Sequence, residues 1–228
     1  MVPRNDHEST SLVNYEALPK WLQDNAYIRT GYRRPQYSWF GCARSVFGCA
    51  SALFHAANCH SPSVSNRCHM LDYTGIVVLI VGSFYPCVYY GFYCDPYLQA
   101  SYIGAITVAG FGAAYIVLSP HYSTPSYRWA RTIVFLALGL TAIVPVTHAL
   151  WLYGFARLRN EMGLAWLLLS GMLYVVGALT YASRMPERWY PGRFDYFGAS
   201  HQIFHTCVVL AALAHYECIT TAFEHRHA

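Results

Sequence analysis

Charge is what this chain has least of. Only 11% of its 228 residues are Asp, Glu, Lys or Arg, and Lys20 is the single lysine. A soluble domain carries about 25% charged residues, so a molecule with water on every side is excluded. The net charge of +4 comes almost entirely from arginines scattered among loops. That balance is too slight and too dispersed for a nucleic-acid footprint. A disulfide framework is lacking as well. The eight cysteines include no CxxC pair, and Cys49, Cys87 and Cys207 lie inside apolar runs, where a thiol behaves as a small hydrophobe. The first 38 residues hold no apolar run long enough for a signal peptide. Membrane insertion is then expected from the spans themselves.

What is present is hydrophobic: 55% of residues overall, with 17% aromatic. A helix needs about 20 apolar residues to cross the hydrocarbon core. The segments 71–93, 97–119, 129–153, 163–183 and 202–223 meet that length or nearly do. Pro145 predicts a kink in the third of these five. The candidate before them, 39–57, has the length of a span but carries Arg44 in its first third. An arginine deep in a span costs a few kcal/mol on insertion scales. The expected fold is all-α, a polytopic membrane helical bundle over 39–223. A polar N-terminal tail, 1–38, is expected before it, with one surface helix around LPKWLQDN, and a short C-terminal tail, 224–228, after it.

Arg67, Arg128, Arg131, Arg184, Arg188 and Arg193 fall in or beside alternate loops, and the other loops hold only Arg157 and Arg159. The richer set is expected to face the cytoplasm, which puts the C-terminus outside. If 39–57 spans, strict alternation also puts the N-terminal tail outside, although that tail carries Arg29, Arg33 and Arg34. The two requirements conflict.

On this frame His55 ends the first segment, Asp72 begins the second, and His201 and His205 begin the last, all at the cytoplasmic side. Four-residue spacing sets His201 and His205 on one helical face. Three imidazoles with an open fourth position form a catalytic zinc set, and Asp72 is placed to act as a base or to hold a water. Ser51, four residues before His55, would hydrogen-bond a substrate oxygen or that water. The plainer reading stands beside this one. Histidines at helix ends also serve as interfacial anchors, Asp72 suits the first turn of a helix through the dipole, and Ser51 is small enough to be a packing residue. His60 and His69 are read as loop residues, and His148 as one polar group near Pro145.

The stretches LPKWLQDNAYIRTGYRRP, SALFHAANCHS, LDYTGIVVLIVGSFYPCVYYGFYC, GLTAIVPVTHA and MPERWYPGRFDYFGASHQIFH resemble the progestin and adipoQ receptor family, and within it the adiponectin receptors. The resemblance covers nearly the whole chain after the first dozen residues. It implies a seven-span bundle with a cytoplasmic N-terminus. It also implies an intramembrane zinc held by His55, His201 and His205, a water held by Asp72, and Ser51 as the serine of the SxxxH motif. The implied activity is ceramide amide hydrolysis linked to lipid-metabolism signalling. The implied partners are membrane lipids, ceramide or fatty acid in the bundle, an extracellular adiponectin-like ligand and a cytoplasmic adaptor at the tail. The implied location is the plasma membrane or an endomembrane. Two alternatives accompany this reading: a non-hydrolytic receptor with structural zinc, and an inactive truncated isoform.

The chain departs from the family in one place. WFGCARSVF resembles the family's interfacial helix, yet GCASALFH, which resembles the end of its second span, follows directly. The first span and the front of the second are then missing, leaving about six spans. Loss of one span reverses parity and accounts for the topological conflict.

Overall fold

Proline opens two of the long helices. Its fixed φ suits the first turn, and the N–H it lacks would have no partner there. In a computed structural model, described over residues 12–35, 59–119, 122 and 124–227, α1 runs Pro62–Gly91 and α2 runs Pro96–Leu118. Then come α3 (Arg128–Leu140), α4 (Ile143–Tyr153), the short α5 (Phe155–Glu161), α6 (Leu164–Ser183) and α7 (Ser200–His227). Among the described residues five pieces are long and apolar enough to cross a membrane: α1, α2, α3 with α4, α6 and α7. The candidate span 39–57 lies outside the described residues.

Four local expectations change. The residues of LPKWLQDN form no α-helix but a single 3-10 turn, Lys20–Leu22, with another just before them at Tyr15–Ala17. Pro19 holds Leu18 in extended backbone, and the Gln23 amide donates to the Leu18 carbonyl at 2.9 Å. α1 begins nine residues earlier than expected, at Pro62, so His69 is helical and faces the Tyr73 ring at 5.9 Å. The break near Pro145 falls at Thr141–Ala142, between α3 and α4. The proline ring collides with the carbonyl four residues back, and that carbonyl belongs to Thr141. α7 also continues to His227, through residues expected to form a tail.

The chain divides into two compact units, one of Met1–Tyr73 with Arg184–Ser200, the other of Thr74–Ser183 with His201–Ala228. The second is helical. Its buried positions are rich in small side chains, among them Ala113, Ala182, Ala211, Ala214 and Ala222, as expected where membrane helices gain by close approach. Large apolar side chains point outward instead: Phe111 is 74% exposed and Val108 72%, as lipid-facing residues are. Val88, Phe92, Ala149, Leu158 and Leu164 make a core cluster, where Tyr102 stacks on Phe92 and hydrogen-bonds His148 Nδ1 at 2.8 Å.

The first unit is held differently. Val13 and Tyr32 pair as an antiparallel bridge, so residues 13–32 fold back as a strap. The strap lies against the 184–200 segment through polar contacts. Asp195 accepts the Arg29 N–H at 3.0 Å, the Thr30 N–H at 2.9 Å and the Thr30 hydroxyl at 2.6 Å. Gly192 N donates to the Tyr27 carbonyl at 3.0 Å. Tyr32 donates its hydroxyl to the Asn25 and Ile28 carbonyls at 3.0 Å each. Burial first, and the nearby Asp24 second, push the Tyr32 phenol well above its ordinary range.

Candidate metal centre

His201 and His205 sit on the first two turns of α7, both half-buried. Their rings lie 4.7 Å apart and their Nε2 atoms 2.9 Å apart. At that separation two bare lone pairs would repel. Either one nitrogen carries a proton toward the other, or both face a common cation. Two imidazole nitrogens about 2.0–2.1 Å from one tetrahedral zinc stand roughly 3.3 Å apart. A side-chain rotation of a few tenths of an ångström reaches that value, so the donor pair fits the ion.

The packing around the pair comes from α6. Tyr181 meets His201 edge-on at 5.5 Å and stacks at a tilt against Phe204 at 5.4 Å. Gly177 of α6 lets α7 come this close, since a Cβ there would stand 2.8 Å from Cys207 Cβ. The seam is therefore set beside His205.

Of the other expected site residues, Asp72 lies in α1, half-buried, within the first unit. Ser51 and His55 lie outside the described residues. Among the described residues no group of three His, Cys, Asp or Glu side chains forms a metal cluster. The structure thus brings together His201 and His205.

Sequence reasoning missed Glu187. It is wholly buried and receives the Ser200 N–H at 2.8 Å, the Ser200 hydroxyl and the Asn25 amide at 3.1 Å. The only signal was an acidic residue in the quoted loop MPERWYPGRFDYFGAS, with nothing to say that it turns inward. A second missed contact is within the bundle, where His215 Nε2 hydrogen-bonds the Ser83 carbonyl at 3.1 Å and approaches Cys87 Sγ at 3.8 Å.

Comparison with known proteins decides the family. The profile of the Haemolysin-III related family matches residues 25–216. The chain belongs to that family. Five helices among the described residues able to span a bilayer, together with this membership, make it an integral membrane protein. Relatives of the Haemolysin-III related chain include the adiponectin receptor protein of Drosophila melanogaster, 33% identical over 93% of this chain and 60% of the fly protein. The progestin and adipoQ receptor-like protein 1 of Caenorhabditis elegans is 35% identical over 90% of this chain and 59% of its own length. The heptahelical transmembrane protein ADIPOR2 of Oryza sativa subsp. japonica is 43% identical, with 72% of each chain covered. The chain is therefore an adiponectin-receptor-like member of the family, and it spans about three-fifths of the length of the fly and worm relatives.

The fly match also has a gap. It runs over 264 positions, of which this chain fills about 212 (93% of 228), so about 52 positions of the fly protein have no counterpart here. The worm match runs over 257 positions, of which this chain fills about 205 (90% of 228), again leaving about 52.

Proposed function

We propose that this chain is an adiponectin-receptor-like membrane protein whose last span supplies two ligands, His201 and His205, to a zinc site completed by His55. Its reaction is hydrolysis of a lipid amide of the ceramide class. The observation that carries the reading is the 2.9 Å approach of the two Nε2 atoms on one face of α7. The bound metal would supply Lewis acidity toward a carbonyl oxygen. Asp72 would accept the proton of the attacking water, and the Ser51 hydroxyl would donate to the carbonyl oxygen of the substrate. His201 and His205 are held against Tyr181 and Phe204, whose aromatic faces suit an acyl chain more than water. Ceramide or fatty acid in the bundle, an extracellular protein ligand and a cytoplasmic adaptor belong to the same reading.

Metal analysis of the purified protein tests it. One zinc per chain is expected, falling to background in His201→Ala and His205→Ala, with ceramide turnover lost in Asp72→Asn while metal is retained. Metal well below one per chain in the parent sinks the site. Unchanged lipid products in Asp72→Asn would favour a receptor in which zinc is structural.

One observation favours a second reading, an inactive truncated isoform. The roughly 52 unmatched positions are the size of one span with its loop and part of another, as much as the resemblance implies is missing where WFGCARSVF meets GCASALFH. Metal absent from the parent and from His55→Ala alike supports the isoform.

A further inference from the structure

Glu187 is a fully buried carboxylate that the proposed chemistry does not use. Among the described residues no cation pairs with it, and its partners are neutral donors. Oε2 takes the Ser200 N–H at 2.8 Å, while Oε1 takes the Ser200 hydroxyl and the Asn25 amide, the latter at 3.1 Å. Ser200 is the first residue of α7, so its N–H is one that the helix cannot satisfy by itself. A negative charge at that end is favoured by the helix dipole. Both Glu187 oxygens are thus committed to this turn, and His201 is the next residue along it.

Asn25 is fixed from both sides. Its Oδ1 accepts the Tyr27 N–H at 3.2 Å, leaving Nδ2 for Glu187, and its own carbonyl accepts the Tyr32 hydroxyl. Removing Asn25 would leave a buried anion short of a donor, a costly loss where water cannot replace it.

We propose that Glu187 is the positioning residue of the His201/His205 pair, and that Asn25 makes the N-terminal strap part of the device. The strap and Ser200, the first residue of α7, share one buried carboxylate. Displacing the strap then loosens the first turn of α7 and swings both imidazoles. This rests on the zinc reading of the pair, so the test keeps the two separable.

The whole 228-residue chain in detergent is used for two measurements: zinc affinity by chelator competition, and amide hydrogen exchange of residues 201–207 against 209–216. In Glu187→Gln one of two acceptor oxygens becomes a donor. Zinc affinity is expected to fall on the order of tenfold, the usual scale for residues that orient metal ligands. Exchange should quicken at 201–207 and stay unchanged at 209–216. Asn25→Ala is expected to show the same pattern with a smaller amplitude, and Ser200→Thr, which keeps both donors, to match the parent. Unchanged exchange in Glu187→Gln overturns the proposal. Faster exchange with unchanged affinity also overturns it, since Glu187 is then a support of the fold alone. If the parent binds no zinc, the proposed function falls, and exchange alone decides whether Glu187 sets the turn. Where Glu187→Gln does not fold, Ser200→Ala carries both readouts, because it removes one donor and keeps the backbone.

Discussion

The two units of this molecule are cemented by opposite means. In the strap and the 184–200 segment, buried or half-buried carboxylates gather donors: Asp195 takes three and Glu187 takes three. In the helical unit the contacts that set spacing are steric. Cβ atoms added at Gly163 and Gly177 would strike α7, and many buried side chains are small. The difference follows from the surroundings each segment must tolerate. Loops outside a hydrocarbon core have unpaired backbone groups that need partners. Helices satisfy their own backbone and, in lipid, gain by shape. One unit should therefore be sensitive to the loss of a hydrogen-bonding group and the other to the gain of a methyl group.

Gly163→Val should have the largest effect. Gly163 has φ +62°, and a Cβ there would lie 3.0 Å from Cys218 Cα, which is backbone and cannot step aside. Left-handed strain of about 1–2 kcal/mol adds to overpacking of about 1–3 kcal/mol. The thermal midpoint in detergent should fall by several degrees or more, and a parent-like midpoint would refute the steric account of this unit.

Asp195→Ala comes next. It removes one acceptor from three donors, at a cost of about 2 kcal/mol for charge-assisted bonds that are partly exposed. The loss should be local. Trypsin should cut after Arg29 or Arg33 several-fold faster, with the thermal midpoint of the bundle hardly moved. Equal cleavage rates would show that the strap is held by something other than these carboxylates.

Tyr102→Phe should matter least. The bond from Tyr102 to His148 is a polar contact inside the helical unit, and such bonds between membrane helices average about 0.6 kcal/mol. A fall in midpoint as large as that of Gly163→Val would reverse the comparison.

Much of the bundle was legible in the sequence. Apolar runs with few charges mark α1, α2, α3 with α4, α6 and α7 because nothing else crosses a bilayer so cheaply. The i,i+4 spacing put His201 and His205 on one face, and their Nε2 atoms do meet. Helix starts were less legible. The extension of α1 back to Pro62 passes through polar residues, Ser63 to His69, that hydropathy alone reads as loop. The break at Thr141–Ala142 was one step from legible, since the proline that causes it acts four residues upstream.

By itself the sequence determined which of the described segments are long apolar helices and which face of the last one carries the histidine pair. Both depend on short-range periodicity and on the solvent each segment can tolerate. Tertiary structure alone decided that Glu187 turns inward and that Asn25, 162 positions away in the chain, meets it. No local pattern encodes such a bond. A carboxylate in a polar loop is ordinarily solvated, and only the folded strap removes its water and replaces it with an amide and the first turn of α7.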